Sequence, residues 1–196
     1  MNVLGLPFEL RWLTEPVSFE HEGERLRVEA GPRTDWFVDP GGESTPVATG
    51  PALVGRPAGD YVLAARVTVD FASTFDAGVL MLYADERHWA KLCFELSPDG
   101  EPTIVSVVTR GVSDDCNSFA VDGNSVRLRI AKIGPAFAFH ASTSSERWEL
   151  IRHFSLGVLE PEVGFEAQSP AGDGCTATFD DIRFEPRRLA DLRSGD

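Results

Sequence analysis

Apolar and polar residues alternate one for one through short segments of this chain, and turn-forming residues close each segment. "SVRLRIAKI", from Ser125 to Ile133, sets Val126, Leu128 and Ile130 against Arg127 and Arg129. "RLRVEA" sets Leu26, Val28 and Ala30 against Arg25, Arg27 and Glu29. A period of two places successive side chains on opposite faces of a β-strand, whereas a helix would scatter them around its axis. The 18 glycines and 13 prolines are spread rather than clumped, and they punctuate these segments. Asp39-Pro40-Gly41-Gly42, Asp85-Glu86-Arg87, Asp99-Gly100 and Asp122-Gly123 are the clearest turns.

The pattern predicts strands within Phe8–Pro16, Arg25–Gly31, Tyr61–Phe71, Ala77–Asp85, His88–Leu96, Thr103–Gly111 and Ser125–Gly134. A hairpin around Ser144-Ser145 joins Ala136–Thr143 to Arg147–Phe154, and Pro161–Pro170 and Cys175–Pro186 close the domain. With no helical segment between strands, a βαβ fold is excluded. The expectation is an all-β, jelly-roll-like sandwich of two antiparallel sheets, roughly a dozen strands in one domain over residues 1–186. Residues 187–196, "RRLADLRSGD", read as a charged tail, frayed or forming one short helical turn.

Charge narrows the partners. The formal net charge of −13 leaves no basic track to displace the counterions of a nucleic acid, and it disfavours anionic membranes. It suits a neutral or cationic ligand, or simply solubility. No stretch approaches the roughly 18 apolar residues that span a bilayer, and "MNVLGLPFELRW" lacks the layout of a signal peptide. Cys93, Cys116 and Cys175 are odd in number and have no ligand spacing, so reduced thiols in a cytoplasmic protein are expected, although one pair could still close. His21, His88, His140 and His153 are too scattered for a zinc site, and no phosphate-binding glycine loop occurs. No cofactor is expected. "SDDCN", Ser113–Asn117, places Asp114 and Asp115 in what reads as a loop, but without the ladder of oxygens that calcium requires.

One strand stands out. In "HWAKLCFEL", Trp89, Lys91, Cys93 and Glu95 share a face opposite Ala90, Leu92, Phe94 and Leu96. The second face is an ordinary core pattern. The first is either a solvated sheet face or the floor of a site.

Between Ala77 and Glu185 a longer order of features appears. "AGVLMLYADERHWAKLCFE" is followed by "IVSVVTRGVSDD", "VRLRIAKIG", "ERWELIRHF" and "VGFEAQSPAGDGCTATFDDIRFE", with "TDWF" and "GDYVLAARVTVDF" upstream. This order resembles the poorly characterised concanavalin-A-like family labelled "regulation of enolase", over about Phe8 to Glu185. The resemblance implies a jelly roll with a convex and a concave sheet, and it implies no established reaction. One departure concerns Asp35, which the family follows with Phe-Trp and this chain with Trp36-Phe37. The swap turns the tryptophan to the opposite strand face.

In jelly rolls of this class the concave sheet commonly meets a carbohydrate, using aromatic faces for its C–H surface and polar groups for its hydroxyls. Strand pairing as the resemblance implies would gather Lys91, Glu95, Arg110, Glu166 and Gln168 into a polar floor, with Trp89 and His140 as neighbours. Trp36 and Tyr83 are candidate stacking platforms, set against a plain packing role. The same polar cluster could instead be a set of exposed cross-strand ion pairs. Asp35 reads as a turn-forming residue, Trp148 as local packing and Cys93 as a buried, inert thiol. Glu95 and Glu166 are the carboxylates that could serve a glycan-active hydrolase or lyase. However, the Glu-x-Asp-x-x-Glu strand of concanavalin-A-like glucanases is missing. The leading expectation is therefore non-catalytic binding of a saccharide or polyol, with glycan chemistry or a regulatory protein-interaction module as alternatives. The open edges of a sandwich would permit an isologous homodimer.

Overall fold

The segments that alternate most strictly fold as the longest strands. The computed structural model describes residues 5–144, 147–158, 160–193 and 195. In chain order the strands are β1 (Leu10–Thr14), β2 (Ser18–Glu22), β3 (Arg25–Ala30), β4 (Trp36–Phe37), β5 (Val47–Ala48), β6 (Ala52–Gly55), β7 (Tyr61–Val69) and β8 (Ala77–Asp85). There follow β9 (His88–Leu96), β10 (Pro102–Arg110), β11 (Ser113–Ala120), β12 (Ser125–Ile133), β13 (Ala136–Ser142), β14 (Glu149–Phe154), β15 (Glu162–Gln168) and β16 (Cys175–Glu185). No helix among the described residues is long and apolar enough to cross a membrane.

Two sheets of seven strands form a concanavalin-A-like jelly-roll sandwich. The first runs β1-β6-β15-β8-β9-β10-β11 and the second β14-β13-β12-β7-β16-β3-β2, with β4-β5 as a separate small hairpin. The pairings within both sheets are antiparallel. Inner faces meet in one continuous core. Leu80, Leu82, Leu92, Phe94, Ile104 and Phe165 from the first sheet pack against Leu63, Val67, Leu128, Ile130, Phe139 and Phe179 from the second. Each such side chain contributes roughly 1.5–3 kcal/mol of transfer free energy, so this layer dominates the stability of the fold.

Strand β9 divides as its sequence predicts. Ala90, Leu92 and Phe94 enter the core, and Trp89, Lys91 and Cys93 face outward. The outward face is nevertheless not solvated. Trp89 is 1% exposed, Lys91 2% and Cys93 0%, because the chain folds a cover over it.

Three features refine the sequence reading. Of the two states read for residues 187–196, the described part takes the ordered one: Leu189 and Leu192 pack on Val62, Ala131, Ile133 and Ala138, on the outer face of the second sheet, and the Gly195 amide donates to the Asp191 carbonyl at 3.0 Å. There Arg129 donates to the carbonyl of Gly195 at 2.8 Å. Second, the "SDDCN" stretch is not a loop but the start of β11, paired along β10 from Ser113↔Thr109 to Ala120↔Thr103. Third, β2 and β6 have no signature in the sequence, the first because all five of its residues are exposed, the second because all four are buried. Neither alternates.

Candidate ligand-binding site

The cover is the β4-β5 hairpin. The Asp39 carboxylate ties its tip by accepting from the backbone amides of Gly41 (2.9 Å), Glu43 (2.8 Å) and Ser44 (3.1 Å). At its base the amides of Thr49 and Gly50 donate to the Asp35 carbonyl at 2.8 and 3.1 Å. The hairpin is also pinned at both sides of the first sheet. Thr34 bridges Ser169 just beyond β15, and Val38 exchanges two hydrogen bonds of 2.9 Å with Ser113 on β11. A strap therefore crosses the outer face of the first sheet.

Because the strap is extended, its side chains alternate, and they divide that face in two. Trp36 and Val38 look onto a groove of about 540 Å³ that also holds Tyr83, Trp89, Arg11 and Arg87. Asp35 and Phe37 look onto a smaller cavity of about 170 Å³, with Lys91, Glu95, Asp115 and Gln168. Phe75, Val107 and Pro170 complete its walls. The Trp36-Phe37 order thus decides which ring each hollow receives.

Strand register assembles the cavity. Asp115 pairs with Val107 and Val107 with Lys91, which places Lys91 and Asp115 two strands apart on one cross-strand row. Gln168 pairs with Ala77 and Ala77 with Glu95, a second row. The Lys91 ammonium donates to Asp35 Oδ1 at 3.0 Å and to Gln168 Oε1 at 2.7 Å. The Gln168 amide in turn donates to the Phe75 carbonyl at 3.2 Å. Asp35 also accepts from the amide of Trp36 at 2.7 Å. It therefore both turns the chain and neutralises the buried lysine.

The charges respond to this setting. Burial works to lower the Lys91 ammonium, but Asp35, with Cys93 and Glu166 behind it, outweighs burial and holds it above its ordinary value. Burial pushes the Glu95 carboxyl up to about 8 although Lys91 pulls it down. Asp115 is raised by burial as well, and burial lifts the Cys93 thiol well above its usual range. Glu166 is 0% exposed, and neither of its carboxyl oxygens has a hydrogen-bond partner among the described residues. Burial pushes it up to about 8, so it is held mostly protonated at neutral pH.

Of the residues the sequence nominated, Lys91, Glu95 and Gln168 line the cavity, and Trp36, Tyr83 and Trp89 line the groove. Trp36 stands edge-on to Tyr83 and Trp89, centroids 5.7 and 5.9 Å apart. Its indole donates to the Gly50 carbonyl at 2.8 Å. With Trp36 4% and Trp89 1% exposed, the indoles act as packing, and Tyr83 is the half-buried ring of the groove. Glu166 lines neither hollow: a Cβ added at Gly50 would run into its Oε1, so it lies directly beneath the strap.

Two nominations fall elsewhere. Arg110 has the inward phase of Ile104 and Val108 and ends β10 exposed, reaching towards the Ser155 carbonyl at 3.5 Å. His140 belongs to β13 in the second sheet, where its Nε2 lies 2.8 Å from the Leu192 carbonyl under the C-terminal segment. The expected five-residue floor thus loses Arg110 and Glu166. It gains Asp35, Phe37, Phe75 and Asp115, which sequence reasoning missed. For Asp35 and Phe37 a signal existed in the two-residue spacing across Trp36.

Comparison with known proteins agrees with this architecture. The chain is 28% identical over 179 residues to Regulation of enolase protein 1 of Saccharomyces cerevisiae, covering 86% of this chain and 85% of that protein. A functionally unknown Saccharomyces cerevisiae protein of known structure superposes with a TM-score of 0.82 at 24% identity, covering 90% of this chain and 95% of the other. The GH43 protein BlXynB from Bacillus licheniformis superposes at 0.71 with 15% identity, over 91% of this chain and 37% of that one, a likeness of fold alone. The sequence family described as "Protein of unknown function (DUF1349)" matches residues 12–187, and the chain belongs to that family.

Proposed function

We propose that this protein binds a small hydroxyl-rich ligand, a saccharide unit or related polyol, in the Lys91 cavity on the outer face of its first sheet, without catalysis. The carrying observation is the cavity itself, where a buried ammonium, an amide and two carboxyl groups without ion-pair partners among the described residues converge between Phe37 and Phe75. Apolar walls with a few convergent polar groups are the usual make-up of a small-molecule site. At about 170 Å³ the cavity is smaller than a usual drug-sized pocket, so it would admit at most one small unit rather than an extended chain. The three cysteines are free, with Cys93 and Cys175 buried, which fits a reducing cytoplasm.

Glycan hydrolysis by Glu95 and Glu166 is the weaker reading. Two catalytic carboxyls must flank one open cleft, and Glu166 is wholly buried beneath the strap and lines no hollow. Isothermal titration against a sugar panel tests the binding proposal. Binding that Lys91→Ala and Glu95→Ala abolish supports it; binding left unchanged by both places the ligand elsewhere.

A further inference from the structure

The cavity has an unbalanced hydrogen-bond inventory. Its donors are largely spent: Lys91 gives two of its protons to Asp35 and Gln168, and the Gln168 amide is bonded to Phe75. Its acceptors are not. Asp35 balances the one cation lining the cavity. That leaves Glu95 and Asp115 without an ion-pair partner among the described residues. Arg152, whose field reaches Asp115, is itself bonded to Asp114 at 2.9 Å. Glu166, fully buried on the same face of β15 as Gln168, adds a further carboxyl whose field reaches both Lys91 and Glu95.

A ligand entering this space meets acceptors and little else. A hydroxyl can donate to them, a carboxylate or phosphate finds no unpaired cation among the described lining residues, and an ammonium supplies protons together with a charge that Glu95 can balance by ionising. Phe37, Phe75 and Val107 give the cavity apolar walls, which strengthen that attraction relative to open solvent.

We infer that the ligand of the Lys91 cavity carries a protonated amine, so that the class it takes is amino sugars and other hydroxylated primary amines, with Glu95 and Asp115 receiving the ammonium. This inference rests on the binding reading above and narrows it. It has a second signature: Glu95, raised by burial in the empty cavity, ionises when a cation arrives, so binding releases a proton to the buffer.

The test titrates the full chain at pH 7 with glucosamine, glucose, glucuronate and, as a non-sugar amine, ethanolammonium. Each titration is run in two buffers of different ionisation enthalpy. Charge-assisted hydrogen bonds are about twice as strong as neutral ones, so glucosamine is expected to bind roughly tenfold tighter than glucose. Its heat should depend on the buffer, and glucuronate should not bind. Glu95→Gln with Asp115→Asn keeps shape and fold, checked by circular dichroism, and brings the glucosamine-to-glucose ratio close to one. Glucose binding as tightly as glucosamine, or measurable glucuronate binding, overturns the amine inference and leaves the saccharide reading standing. Ethanolammonium binding in the absence of any sugar binding does the reverse. If none of the four binds, both are overturned.

Discussion

Replacing Glu166 with Gln asks whether a carboxyl is stored uncharged beneath the strap. In the fold this group ionises at about pH 8, against an ordinary value of 4.5 when the chain is unfolded. Between those values the folded state holds a proton that the unfolded state has lost, so the stability of the native protein falls as pH rises through this window. At about 1.4 kcal/mol per pH unit of separation, the loss reaches as much as about 5 kcal/mol by pH 9. Glu166→Gln keeps the shape and cannot ionise. Its amide stays buried without a partner, a pH-independent cost of about 1–3 kcal/mol. The two stability curves should therefore cross: the native protein is the more stable at pH 5 and the variant at pH 9. Urea denaturation followed by tryptophan fluorescence at a series of pH values reads this directly, since Trp36 belongs to the strap and packs on Trp89. A difference that is constant with pH, or that moves in favour of the native protein as pH rises, would mean that Glu166 is not held as the acid.

Three further perturbations probe the same framework. Lys91→Met leaves Asp35 without its cation and should cost about 2–4 kcal/mol, less than a fully enclosed pair because Asp35 is partly exposed; an unchanged urea midpoint would contradict it. Gly50→Ala drives a methyl group against Glu166 and to within 3.0 Å of the Trp36 ring. It should destabilise by about 1–3 kcal/mol, and a midpoint within error of the native protein would show that the strap does not close on the sheet. His140, which burial lowers to about 4 from 6.5, makes the opposite contribution to Glu166. The unfolded chain binds the proton first, so stability falls by roughly 3 kcal/mol as pH drops from 6.5 to 4. His140→Gln should flatten that limb, and an unaltered slope between pH 7 and pH 4 would count against a buried neutral imidazole.

Local rules make much of the fold legible, and long-range ones hide the rest. The alternation in β7, β9 and β12 reports directly which side chains meet the core, and the outward face of Trp89, Lys91 and Cys93 follows from it. Strand β11 does not announce itself. As a sheet edge it carries Asp114, Asp115 and Asn117, residues of low strand propensity that protect an edge from unwanted pairing. Its register, which brings Asp115 onto the row of Lys91, has no local signature. His140 shows the limit of parity: sequence places it on a face with Ala138 and Ser142, but not on a particular sheet. Arg110 shares the phase of Ile104 and Val108, which the sequence shows; its charge argues for the polar floor, and phase decides against it. The burial of the row that looks solvated depends on the strap. That depends in turn on contacts such as Thr34 with Ser169, 135 residues away in sequence.

Where a ligand sits decides between the Lys91 cavity and every other surface of the sandwich. A titration of the ¹⁵N-labelled protein with glucosamine and with glucose, followed by amide chemical shifts, locates it residue by residue. Saturable shifts should centre on Asp35, Phe37, Lys91, Glu95, Asp115 and Gln168, while Tyr83, Arg87 and the His140 face of the second sheet stay still. Shifts centred on the Tyr83 groove or on the second sheet, or no shifts at saturating concentrations of either sugar, would rule the cavity out as the binding site.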